Sequence, residues 1–274
     1  MKRRPVLILM LITLLVLGLT AGYIYYQKTV ASPQAPEISF DNDTISVTTD
    51  STDADLLEGV TALDPEDGDV TASVLVESVS SIVNGNQATI TYVAFDSKNH
   101  LTRATRTAVY TDYKSPVFDM SHSMLFRASG TLNILNYVTA EDMFDGDITN
   151  KIIYSFVGAS NNLNMEGEHE IELRVTNSMG DTSKLTLKVE ICSKDPNAAN
   201  IQLNKYLVYI PVGAGFDPAD YFKSYMSGSE TVSSMDGITV NSDVDTSKAG
   251  VYVVTYASGS GDSLSRAKLI VVVE

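Results

Sequence analysis

The chain has 274 residues and a formal net charge of −15, from 19 Lys+Arg against 34 Asp+Glu. Four of the basic residues lie within residues 1–28, so the remainder sets 15 basic against 34 acidic side chains; such a surface repels phosphate and excludes nucleic acid as a partner. A single cysteine, Cys192, excludes an intramolecular disulfide, and the absence of Trp excludes a vertebrate-type immunoglobulin core of paired Cys around a Trp.

Lys2-Arg3-Arg4 precede an uncharged apolar run at residues 5–26, which ends on Tyr23, Tyr25 and Tyr26. As a helix the run reaches about 33 Å, against a hydrocarbon core of roughly 30 Å. The expectation is a basic cytoplasmic tail at 1–4, a transmembrane signal-anchor at 5–26 and a polar stalk at 27–36. That implies a single-pass cell-membrane location with the C-terminal region extracellular. The other reading is a cleaved signal peptide with Thr29-Val30-Ala31 as its small-residue site; the length of the run favours the anchor. No cysteine follows the run, which excludes a lipoprotein anchor. An exported chain with so little cysteine reads as bacterial.

Beyond the stalk the sequence alternates with period 2. Ile45 and Val47 share one face of residues 44–48. Ile90, Tyr92 and Ala94 share one face of 89–95, and 101–110 forms a last strand before a boundary at Tyr113-Lys114-Ser115-Pro116. The plan then repeats. Residues 148–157 are β-rich, 170–175 place Ile171, Leu173 and Val175 inward, and 185–191 form another strand before a turn-rich linker at 193–200. A third set runs from Ile201, with strands at 206–210, 251–256 and 268–273 and a helical turn expected within 217–226. No long amphipathic helix appears after residue 26, so a β-sandwich class follows.

One phrase occurs twice, 78 residues apart. Asp64-Pro65-Glu66-Asp67-Gly68-Asp69-Val70-Thr71 matches Asp142-Met143-Phe144-Asp145-Gly146-Asp147-Ile148-Thr149, and each copy follows an apolar-Thr-Ala step. That interval suits a small domain and is too long for a solenoid repeat. The third set has only a partial echo, Met235-Asp236-Gly237-Ile238-Thr239.

These phrases, with Ala94-Phe95-Asp96-Ser97-Lys98-Asn99 before the last strand of the first set and Val244-Asp245-Thr246-Ser247-Lys248-Ala249-Gly250-Val251-Tyr252 in the third, resemble the bacterial immunoglobulin-like surface repeat. That repeat also occurs as an accessory module in insecticidal crystal proteins and is akin to hyalin-type repeats. The second set departs from its turn pattern at Thr176-Asn177-Ser178-Met179-Gly180. The resemblance implies an all-β chain of three tandem immunoglobulin-like β-sandwiches, at 37–113, 114–193 and 201–274, after an N-terminal transmembrane helix. It says little of function, because such modules are widely reused.

Asp64, Glu66, Asp67 and Asp69 offer hard oxygens that Ca²⁺ accepts, but the EF-hand spacing is not met. The reading carried forward is a tight turn, with Gly68 and Gly146 at positive φ and Asp oxygens capping backbone N–H groups. His100, His122 and His169 are scattered, and His169-Glu170 lacks the second His of a zincin. Cys192 has no protease signature around it, and Gly213-Ala214-Gly215 lacks the third glycine of a nucleotide loop. No catalytic, cofactor-binding or metal residue is assigned, no cofactor is expected, and the chain is read as a non-enzyme. The function expected is a membrane-anchored spacer or adhesion surface, with carbohydrate or cell-wall glycan binding as the alternative. Expected partners are the membrane, through the N-terminal helix, and a surface protein or glycan. Tyr206, Tyr209, Tyr221 and Tyr225 are the residues that an exposed aromatic platform for glycan would use. The distal residues 201–274, and within them 216–236, are the expected contact region.

Overall fold

The computed structural model describes residues 3–29, 35–128, 130, 132–158 and 162–274. Lys2 and Val30-Ala31 of the expected cleavage step lie outside them. The backbone of Arg3–Thr29 is helical (α1). Its described side chains, Met10 and residues 12–26, are all exposed. Among the described residues no helix is long and apolar enough to cross a membrane. The transmembrane signal-anchor at 5–26, the single-pass cell-membrane location and the membrane as a partner are corrected accordingly.

The rest of the described chain is predominantly β. It divides into two compact units, 1–80 with 87–111, and 81–86 with 112–274. The first unit holds β1 (Glu37–Phe40), β2 (Thr44–Val47), a short helix α2 (Asp53–Leu56), β3 (Val60–Asp64), β4 (Gly68–Asp69), β5 (Leu75–Val79), β6 (Gln87–Phe95) and β7 (Leu101–Tyr110). These make a three-stranded sheet, β1-β3-β4, and a four-stranded sheet, β2-β7-β6-β5. The alternation of β6 explains its place. Ile90, Tyr92 and Ala94 are fully buried, and the ring of Phe40, on the other sheet, lies 5.2 Å from that of Tyr92. The Tyr92 hydroxyl donates to the Leu56 carbonyl at 2.7 Å, which ties the core to α2.

The second unit repeats the arrangement twice. Its first part has β8 (Val117–Met120), β9 (Leu125–Arg127), β10 (Val138–Asp142), β11 (Gly146–Asp147), β12 (Ile153–Phe156), β13 (Gly167–Thr176) and β14 (Thr182–Cys192), in sheets β11-β10-β8 and β12-β13-β14-β9. Its second part has β15 (Gln202–Leu203), β16 (Leu207–Ile210), β17 (Phe222–Ser227), β18 (Glu230–Val232), β19 (Thr239–Ser242), β20 (Gly250–Ser258) and β21 (Ser265–Val273), in sheets β15-β17-β18 and β16-β21-β20-β19. The helical turn expected within 217–226 is shorter: Pro218–Tyr221 form a 3₁₀ turn capped by Asp217, and the chain then enters β17.

Ile171, Leu173 and Val175 of β13 meet Val138 and Ala140 of β10 in one core; each wholly buried Ile or Leu contributes about 1.5–3 kcal/mol. That core also takes in Leu207 and Ile270 from the following sheet pair. Glu190 reinforces the join, with Lys268 Nζ at 2.6 Å and Arg266 Nη2 at 2.8 Å. Ser123 Oγ donates to the Lys268 carbonyl and accepts its N–H, at 3.0 and 2.8 Å. The linker at 193–200 is docked: Arg266 N–H donates to Pro196 O at 2.7 Å, and Ala199 N–H to Ser265 Oγ at 2.9 Å.

Candidate functional site

The repeated acidic phrase builds the same object in both units. Asp64 pairs with Gly68 and Leu63 with Asp69 across β3 and β4, as Asp142 pairs with Gly146 and Glu141 with Asp147 across β10 and β11. Gly68 and Gly146 take φ of 78° and 67°, the left-handed region expected for them. Asp64 Oδ1 accepts the N–H groups of Glu66 and Asp67 at 2.8 and 2.9 Å; Asp142 Oδ1 accepts those of Phe144 and Asp145 at 2.9 and 3.0 Å. Asp69 and Asp147 each accept the N–H two residues on, at 2.9 Å; the side chains of Thr71 and Thr149 first, then these main-chain bonds, hold both carboxyls below their usual range.

The remaining aspartate of each phrase reaches a distant turn. Asp67 accepts the N–H and hydroxyl of Ser97 at 2.6 and 3.0 Å. Asp145 accepts those of Ser178 at 2.8 and 2.5 Å. Lys151 Nζ adds an ion pair to Asp145 at 2.7 Å; Lys151 first, then Ser178, bring that carboxyl down to about 2. Each phrase is thus a staple between one sheet's turn and the loop between the two longest strands of the other. The apparent departure of 176–180 in sequence is not one in geometry. Asp96 N–H donates to His100 O, and Asn177 N–H to Asp181 O. Asn99 and Gly180 occupy the same left-handed position, at φ 65° and 75°.

The three histidines do not converge. His100 Nδ1 lies 2.6 Å from Asp96 Oδ2. His122 Nδ1 lies 2.6 Å from Ser123 O, with its ring stacked on Phe126 and Tyr206. His169 is buried, with Nε2 2.7 Å from Met165 O. Among the described residues no group of three or more His, Cys, Asp or Glu is placed to hold a metal ion. Cys192 is half-buried; burial first, then the Glu190 carboxylate, push its thiol up, which is the opposite of an activated nucleophile.

The four tyrosines form no exposed platform. All are half-buried. Tyr206 and Tyr209 pack on the core built by β10 and β13, and burial pushes Tyr209 up to about 12. Tyr221 stacks on Phe216 with ring centroids 5.5 Å apart, and Tyr225 donates its hydroxyl to Asp236 O at 2.7 Å. The second unit does contain a cavity of about 450 Å³, with Met124, Val251, Val253 and Ile270 as its apolar wall and Lys188 and Lys268 at its side. Both lysines are already paired, with Glu168 at 2.8 Å and with Glu190.

No protein-family model matches this chain, and no curated protein does. Among solved structures it is similar to the CBM51-2 and INT domains of Clostridium perfringens ZmpB in complex with GlcNAc, at 17% identity over 57% of this chain and 26% of that one, with a TM-score of 0.23. It is similar to human CDH23 EC21-23 at 13% identity, over 87% of this chain and all (100%) of that one, with a TM-score of 0.21. For the lipoprotein BT2262 of Bacteroides thetaiotaomicron the identity is 12%, the coverage 86% and 98%, and the TM-score 0.20.

Proposed function

We propose that this chain is a non-enzymatic spacer and interaction protein, made of three tandem immunoglobulin-like modules of the bacterial surface-repeat type at 37–113, 114–193 and 201–274. The observation that carries the reading is the join within the second unit. Leu207 and Ile270 enter the core of the preceding sheet pair, and Glu190 holds Arg266 and Lys268 across the same seam. Side chains are spent there on fixing one module against the next, as a spacer requires. Spin labels at exposed Asn150 and Ser229, introduced as Asn150→Cys and Ser229→Cys with Cys192→Ser, test this by pulsed electron resonance. A single narrow distance distribution is expected; a broad one sinks the spacer reading.

The interaction surface we assign is the β17–β18 hairpin within 216–236, which carries exposed Lys223, Glu230 and Thr231 on a supported sheet. The partner is a protein surface, since the tyrosines a sugar would stack on are spent in the cores. Deleting 201–274 is the wrong test, because it strips Leu207 and Ile270 from the neighbouring core. Alanine at all three exposed positions leaves that core intact, and should abolish binding to any partner whose binding the full chain supports. Full binding by the triple variant removes the assignment.

A further inference from the structure

We propose that the first acidic turn, and not its twin, holds a divalent cation of the Ca²⁺ type between Asp64 and Asp96. This is independent of the spacer reading. The main-chain and serine bonds of the two turns match; the lysine differs, on Glu66 in the first and on Asp145 in the second, and so does the partner of the leading aspartate. In the second, Asp142 Oδ2 accepts Asn177 Nδ2 at 2.9 Å, and the same amide donates to the Tyr113 hydroxyl, itself donated to Asp181 at 2.7 Å. The network is closed. In the first turn the counterpart of Asn177 is Asp96, fixed by the matching main-chain bonds to His100 and Asp181. A donor has been replaced by a second acceptor. Asp64 is 5% exposed, and its Oδ2 is buried with no hydrogen-bond partner.

Each carboxylate has one oxygen filled by main-chain donors. Asp64 Oδ1 already takes two backbone N–H groups. Asp96 Oδ1 takes two more, from Lys98 and His100 at 2.9 and 2.7 Å. Asp96 Oδ2 lies 2.6 Å from His100 Nδ1, the one side-chain nitrogen beside it among the described residues. An acceptor in place of the twin's donor, beside a buried carboxylate oxygen that no donor reaches, calls for positive charge. Hard oxygens in a turn select Ca²⁺ over softer metals. Glu66 is engaged by Lys98, and Asp67 spends both oxygens on Ser97, so two carboxylates supply the charge. Carbonyl oxygens and water complete such a set, and the affinity expected is weak, about 10⁻⁴–10⁻³ M.

Titration of the full chain with Ca²⁺, followed by amide NMR, tests this. Saturable shifts are expected at 64–69 and 96–100 and none at 142–147 or 177–181. Asp96→Asn should abolish them, because it restores the donor that Asn177 supplies in the twin. Asn177→Asp should create a second set of shifts at 142–147. No saturable shift by 10 mM Ca²⁺ (about ten times the weakest affinity expected), equal shifts in both turns, or shifts that survive Asp96→Asn each overturn the proposal. Both variants are near-isosteric and stay testable as folded chains.

Discussion

Asp145 grips Ser178 twice, through the main-chain N–H at 2.8 Å and the hydroxyl at 2.5 Å, across 33 residues of sequence. Asp67 does the same to Ser97. The bonds are charge-assisted, and they hold the turn between β13 and β14 as Asp67 holds the turn between β6 and β7. Ser178→Ala should cost about 0.5–1.5 kcal/mol, and Asp145→Asn about 1 kcal/mol after allowance for partial exposure. Urea denaturation measures both, and the double variant should cost less than the sum.

The same aspartate sets a pH dependence. Its folded carboxyl is depressed to about 2, below the unfolded value of about 3.9. The contribution is therefore fully present above about pH 4 and lost as pH falls through the folded value. Between pH 4 and 2 the wild-type chain should lose more stability than Asp145→Asn. Parallel stability curves in that window would contradict the assignment.

Gly68→Val and Gly146→Val should each cost about 1–3 kcal/mol, although nothing lies within 4 Å of a Cβ at either position. The cost lies in φ, not in space. Gly215 is the control, being equally open and without a positive φ. Gly215→Ala should leave stability unchanged or raise it by up to about 1 kcal/mol. Equal effects at the three sites would mean that the turn conformation is not what the glycines supply.

Glu190→Ala removes the acceptor shared by Arg266 and Lys268, whose ammonium is largely buried. Burial raises the Glu190 carboxyl, yet the two cations hold it below its usual range, so it is ionised at neutral pH. Loss of about 1.5–3 kcal/mol is expected. Calorimetry should show the single transition of 112–274 broaden, as the third sheet pair loosens from the second.

The longer strands were open to sequence reading because they are long enough to show a period. Ile171, Leu173 and Val175 alternate over ten residues of β13, and 101–110 coincides with β7. Strands such as β9, three residues long, carry no period and are held by pairing alone. The acidic phrase was legible as a turn, since Asp and Gly act locally. Its serine partners were not, because they sit 30 and 33 residues away and nothing in Ser97 or Ser178 marks them. The tyrosines misled for a related reason: a half-buried ring and an exposed one have the same sequence. The apolar run at 5–26 was read from its length and lack of charge, and among the described residues no helix is long and apolar enough to cross a membrane.

The parallel edge pairs carry a mechanical consequence. Thr44 to Val47 pair with Thr107 to Tyr110, Leu125 to Arg127 with Glu190 to Cys192, and Leu207 to Ile210 with Ile270 to Val273, each time joining a repeat's early segment to its last strand in the same direction. Tension applied along the chain pulls such a pair from opposite ends. Its hydrogen bonds then lie across the load and bear it together in shear, instead of opening one after another like a zip. The sheet that closes each repeat is also the one that would resist extension.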